Sequence, residues 1–220
     1  GLMENPAYLN AALNYLAYQK GLKIGVLMPY SDRLYDFADW YRQIWAESLG
    51  KKFSRGGQVV HIGPTPVKAL GTTDQHSQVQ LYMEGPFDKL VTFISVEDYG
   101  RDLKIPRKAP APGLSYLSGH SMAELIQKEQ QATAVALSKN GRPNCTIKLD
   151  RVSAENLGAL IYMFEVQTVF AGGLFDVNPL DQPGVEEGKE FTYGLMGRDG
   201  FEEKKEEFSL FKRQQRQRLL

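Results

Sequence analysis

Short apolar runs separated by helix-length amphipathic stretches constrain this chain more than any other feature. Lys23 to Met28 (KIGVLM) and Lys89 to Val96 (KLVTFISV) are nearly unbroken apolar runs, and Gln58 to Ile62 and Thr146 to Leu149 are shorter strand-like segments. An alternating strand buries one face. A continuous apolar run is what a strand buried on both faces requires. Strands of this kind, each followed by a helix, predict an α/β fold: a mainly parallel sheet with helices on both faces, a three-layer αβα sandwich. Ligands of such folds bind outside the carboxyl ends of the strands.

The intervening stretches carry helix signals. Asn5-Pro6 places a capping residue before a proline at the first helical position, and Gly21 stands where a left-handed stop belongs. Between them Leu9, Ala12, Leu13 and Leu16 share one apolar face. Ser31 opens a second helix with Leu34, Phe37, Tyr41 and Ile44 inward. Gly50 ends it, and Lys51 and Lys52 follow near the negative end of the dipole. Thr72 and Gln75 have capping-box spacing for a third helix. Ala109-Pro110-Ala111-Pro112 reads as a stiff connection. A long helix is expected over 118–138, and Ser153 caps another that lines up Leu157, Leu160, Ile161, Phe164 and Thr168. Beyond Gly172 only helix and loop signals remain, so a domain over 1–171 and a helical arm over 172–220 are expected.

Composition removes several function classes. Lys+Arg and Asp+Glu both number 26, so formal net charge is zero, where a nucleic-acid binder shows a basic excess. The basic tail from Arg213 to Arg218 reads as a solvated helix face. One cysteine, Cys145, excludes an internal disulfide and fits a reducing, cytoplasmic setting. No run of 18 apolar residues and no signal peptide is evident, so no membrane partner is expected. His61, His76 and His120 are scattered without metal-ligand spacing.

Three stretches are polar where a fold alone does not ask for it. Gln43 and Glu47 are four apart on one helix face, with Trp40 a turn earlier. A carboxylate beside an aromatic wall suits a general base, and an ordinary solvated glutamate is the plain alternative. His76 lies in the first turn after Thr72, where an imidazole is suited to accept or pass a proton. Asn178-Pro179 is a helix start that sets Gln182, Glu186 and Lys189 on one face, at the cost of Pro183, Gly184 and Gly188. Such glycines often let something approach the backbone closely, although an irregular connection explains them too.

Three motifs carry a resemblance. Gly172-Gly173-Leu174-Phe175 followed by Asp181-Gln182-Pro183-Gly184-Val185-Glu186-Glu187-Gly188-Lys189 is similar to the C-terminal signature of glucose-6-phosphate isomerases. Leu180 departs from it, standing where the family usually has an aromatic. Gln43-Ile44-Trp45-Ala46-Glu47-Ser48 resembles the family segment with the catalytic glutamate. Thr73-Asp74-Gln75-His76-Ser77 resembles the one with the ring-opening histidine.

The resemblance implies a sugar-isomerase (SIS) domain of flavodoxin-like type over 1–171 and an active-site arm over 172–220. It implies aldose–ketose interconversion of glucose 6-phosphate and fructose 6-phosphate. His76, helped by Lys189, would open the ring, Glu47 would move the proton, and Gln43 and Gln182 would bind substrate. No cofactor and no metal are implied. A homodimer is, in which His76 serves a partner's Glu47. Family members carry an N-terminal SIS domain with a Gly-Gly-Arg segment and a Ser/Thr-rich phosphate loop. Here Arg55-Gly56-Gly57 has the wrong order, so that domain is expected to be missing and the isolated chain inactive. A non-catalytic sugar-phosphate-binding SIS module and a bare dimerisation scaffold are the alternatives.

Overall fold

The computed structural model describes residue 1 and residues 4–107 and 111–218, so the expected proline connection at 109–112 lies partly outside the described residues. The chain divides into two compact units, Gly1–Pro179 and Leu180–Leu220. In the first, α1 (Pro6–Gln19) leads into β1 (Ile24–Pro29) and α2 (Tyr35–Leu49). A two-stranded antiparallel ribbon, β2 (Lys51–Phe53) with β3 (Val59–Ile62), precedes β4 (Thr65–Lys68). Two short helices follow, α3 (Thr73–Ser77) and α4 (Val79–Glu84). Then come β5 (Lys89–Asp98), α5 (Met122–Lys139), β6 (Asn144–Arg151) and α6 (Ala154–Leu174). The main sheet has the order β4-β1-β5-β6 and is parallel throughout, with Ile24 opposite Thr65 on one side and Lys89 on the other.

The sheet is mainly parallel and flanked by helices, as the apolar runs predict. Strand residues alternate between two cores. Leu27, Ile94 and Val96 meet α2 and α6 through Tyr41, Trp45, Leu160 and Phe164. Val26, Met28, Val91 and Phe93 meet Tyr82 of α4 and Leu137 of α5. Ser153 caps α6, its hydroxyl accepting from the Asn156 amide at 3.2 Å, and Lys51 donates to the Glu47 carbonyl at 2.9 Å in the last turn of α2.

Two sequence expectations shift. The segment around 58–62 is not a strand of the main sheet. It pairs with β2, and Val59 is 62% exposed. The neighbour of β1 is β4, whose Pro66 hides it from a strand reading. Proline gives no ladder donor and is tolerated here because β4 is an edge. The leucine face of α1 is also not its buried face. Ala7, Asn10, Ala11, Asn14 and Ala17 are buried, and Leu13 and Leu16 are exposed.

The buried asparagines explain that rotation. Asn10 Nδ2 donates to Gln167 Oε1 of α6 at 2.7 Å, and Asn14 Nδ2 donates to the Asn10 carbonyl at 2.8 Å. Small residues around them bring α1 close to α6. By length and composition α6 is apolar enough to cross a membrane; here it buries Leu160, Phe164, Gln167, Thr168 and Ala171. At its end, Gly172 lies so close to Pro179 that a Cβ would stand 2.8 Å from the proline ring. Gly172, the first of the Gly-Gly pair, therefore has a packing reason.

The second unit is a helical hairpin of α7 (Pro183–Leu195) and α8 (Glu202–Arg218). Phe191 meets Phe208, and a Cβ on Gly194 would lie 2.5 Å from the Phe201 carbonyl. Arg213 is exposed on α8.

Gln167→Leu should destabilise the chain by roughly 1–3 kcal/mol, because it leaves the Asn10 amide buried without its acceptor. Chemical denaturation should show a lowered midpoint at unchanged slope. An unmoved midpoint would remove the polar link between α1 and α6 from the account.

Candidate active site

The carboxyl ends of the parallel strands are organised around Tyr30, the residue after β1. Its ring is 1% exposed. Its hydroxyl donates to Gln75 Oε1 at 2.8 Å, and its carbonyl accepts from the Tyr99 hydroxyl, just beyond β5, at 2.9 Å. Burial pushes both phenols up to about 12. They stay neutral donors that tie together the ends of β1 and β5 and the loop after β4.

His76 is carried by that loop and is exposed. The expected capping box does not form. Thr72 makes no side-chain cap bond, and Gln75 is engaged by Tyr30 instead. The turn is held by Asp74, whose carboxylate accepts from the Leu70 amide at 2.7 Å and from the Ser77 hydroxyl. Burial pushes the Asp74 carboxyl up, but the bonds from Ser77, Leu70 and Gln78 outweigh it and hold the group below the usual range. The helix then breaks at Gln78, so His76 sits in five residues of α3 and not in a long helix. Gly71 is buried under Tyr30, and a Cβ there would lie 2.5 Å from the ring.

Glu47 and Gln43 are both exposed on α2, while Trp45 between them is fully buried. Trp40 is half-buried and tilts against Phe37. The helix runs back along the sheet from carboxyl to amino ends. Asp39, early in α2, pairs with Lys68, the last residue of β4, at 3.1 Å. Gly50, just past the helix, packs against Gly63, before β4 begins. Glu47 is therefore roughly 12 Å further along the helix axis than Asp39. Within one chain His76 stands at the carboxyl end of the sheet and Glu47 at the amino end.

Gln182 and Lys189 belong to the helical hairpin and are exposed. The helix begins at Pro183, not at Asn178-Pro179, because Pro179 is packed against Gly172. Gln182 is thus the residue before the helix, with no side-chain cap bond. Glu186 and Lys189 pair within α7 at 2.7 Å. The structure brings Gln43 to Glu47 on one helix and Lys189 to Glu186 on another. Sequence reading missed Tyr30, although a buried tyrosine directly after a strand at the ligand-binding end is a readable signal.

Arg55, in the ribbon turn, donates from its amide to the Asp176 carbonyl at 2.8 Å and from Nε to the Val177 carbonyl at 3.1 Å. It fastens the ribbon to the end of α6. Cys145 is half-buried beside Thr92, and burial pushes its thiol up. Among the described residues no three His, Cys, Asp or Glu side chains group as a metal site.

Gly71→Ala should move the His76 turn, since the new methyl meets a buried ring that has no room to yield. Overpacking of this kind costs roughly 1–3 kcal/mol. The check is a lower melting temperature together with shifted His76 resonances, and an unshifted His76 would show that Tyr30 does not place the turn.

The phosphoglucose isomerase family model matches residues 3–208. A glucose-6-phosphate isomerase of Carboxydothermus hydrogenoformans is 50% identical over 98% of this chain and 47% of its own length. One from Rubrobacter xylanophilus is 50% identical over 90% of this chain and 44% of its own. A crystal structure of a hypothetical protein from Thermus thermophilus superposes with a TM-score of 0.83 at 40% identity, covering 90% of this chain and 46% of that one. A Chlamydia trachomatis glucose-6-phosphate isomerase gives 0.79 at 26% identity, covering 96% and 42%. The chain spans about half the length of the curated relatives it matches, and across that span it belongs to the phosphoglucose isomerase family.

Proposed function

We propose that this chain is the C-terminal part of a cytoplasmic, homodimeric glucose-6-phosphate isomerase that interconverts glucose 6-phosphate and fructose 6-phosphate. The observation that carries the reading is the family match over residues 3–208, which takes in Gln43, Glu47, His76, Gln182 and Lys189 together. In this reading His76, assisted by Lys189, moves a proton between the ring oxygen and the C1 hydroxyl and opens the ring. Glu47 then takes the proton from C2, leaving a cis-enediolate, and returns it to C1. Gln43 and Gln182 hold substrate hydroxyls. No cofactor enters, because the proton leaves and returns through one carboxylate.

The placement of Glu47 and His76 supports two-subunit construction. A single small sugar does not reach from one end of the sheet to the other, so each residue needs a complement from elsewhere. Both are exposed, and neither is yet enclosed in the water-poor surroundings that make a fixed charge effective. The half-length match supports a further SIS domain in the whole polypeptide, with the phosphate loop and the enediolate-facing arginine on it.

Glu47→Gln in the whole polypeptide should lower turnover by roughly 10²–10⁴-fold, the worth of a general base, with the fold unchanged. Turnover at the parental level in a coupled assay would sink the role of Glu47. The 220-residue chain alone should turn over at least about 10²-fold more slowly than the whole polypeptide, since loss of one preorganised donor costs that much. Equal rates would show that the missing half supplies nothing to catalysis.

A further inference from the structure

We propose that the β6 edge of the sheet is the seat of an added strand, supplied by the remainder of the longer polypeptide. The inference rests on the reading above that this chain is part of such a polypeptide, and it assigns the surface and the chemistry of the junction.

β6 is eight residues long and, among the described residues, is paired only on its β5 side. Its register with β5 runs without a shift from Asn144 to Arg151, so no bulge ends the pairing, and it contains no proline. The Val91 amide donates to the Pro143 carbonyl at 3.2 Å, which sets the phase of the ladder. In a parallel pair, alternate residues turn their main-chain groups to the neighbour. Cys145, Ile147 and Leu149 therefore face β5 with their amides and carbonyls, and Thr146, Lys148 and Asp150 point theirs away from it. A row of open groups this long is a template for another strand, and isolated domains normally shorten, kink or cover it.

A cleft lies beside this edge on each face of the sheet. One, of about 470 Å³, is lined by Pro6, Leu9, Leu13, Ile147, Leu149 and Met163. The other, of about 620 Å³, is lined by Gln127, Gln130, Gln131, Ala134, Thr146 and Lys148. Side chains of an added strand would alternate between the two. The occupant is accordingly an extended segment with apolar residues facing α1 and α6 and, facing α5, residues that meet both its glutamines and Ala134 and Val135. The exposed face of α1 supports the same occupant, since Leu13 is 41% and Leu16 55% exposed on a helix whose sequence concentrates its leucines there. About half of the relatives' length lies outside this chain and is available to supply the segment.

The test compares amide hydrogen exchange in the 220-residue chain and in the polypeptide encoded by the whole reading frame. Peptides covering 144–151 should exchange at least about tenfold more slowly in the whole polypeptide. Leu13→Asp should lower its melting temperature by several degrees while leaving that of the 220-residue chain nearly unmoved. Equal exchange of β6 in both forms would overturn the proposal. So would protection that grows with concentration in the short chain, which would assign the edge to a second copy. Isomerase turnover of the same whole polypeptide separates the two readings. Protected β6 without turnover removes the function and keeps the junction, and turnover with unprotected β6 does the reverse.

Discussion

The two-sided pairing of β1 is the constraint on which the larger unit depends. Each of its first four residues, Ile24 to Leu27, has a partner in β4 and another in β5, and its side chains go alternately to the two cores. A strand held on four sides fixes the direction of the sheet, and the direction fixes which end gathers the loops. Tyr30 exploits this, since the residue after a fully paired strand has a nearly fixed position. From there one hydroxyl reaches Gln75 and one carbonyl receives Tyr99, so three loops from three strands are tied to the most constrained backbone in the chain.

What the sequence disclosed follows from how local each signal is. β1 and β5 were legible because burial on both faces demands unbroken apolar runs. The Ser153 cap was legible because it needs only residues three apart. β4 was not, because Thr65-Pro66-Val67-Lys68 has no strand pattern and is recruited by the open side of β1. The capping box at Thr72 and Gln75 was misleading for a related reason. Local spacing offered one partner for Gln75, and a tyrosine from a distant strand offered a buried one. Helix α7 starts later than Asn178-Pro179 suggests because Pro179 is held by Gly172, a contact across the helix end that spacing does not reveal. Glu47 and His76 were found by resemblance and by their polarity. Their position at opposite ends of the sheet is a topological fact, invisible until α2 is seen to run back along it.

That separation changes how the site is to be understood. In α/β folds the loops at the carboxyl ends usually make a complete pocket. Here one candidate group follows that rule and the other departs from it. Glu47 is carried to the far end by a helix whose other face is the densest part of the core, with Tyr41, Trp45 and Leu49 all buried. The backbone that carries the carboxylate is thereby fixed, while the side chain itself is exposed. A fixed backbone and an open carboxylate are compatible with the proposed site completed by other polypeptide.

The α1 helix carries the same logic to the edge of the sheet. A helix usually buries its most apolar stripe. α1 instead turns alanines and two asparagines to α6 and leaves leucines outside, and the Asn10–Gln167 bond specifies that rotation because an unpaired buried amide would be costly. Leucine exposed beside an unpaired strand is unfavourable in a free domain and favourable at a junction. The mismatch between sequence pattern and observed burial is therefore itself informative. Where the pattern calls for burial and the fold withholds it, the proposed strand addition at the β6 edge gives the mismatch a physical reason.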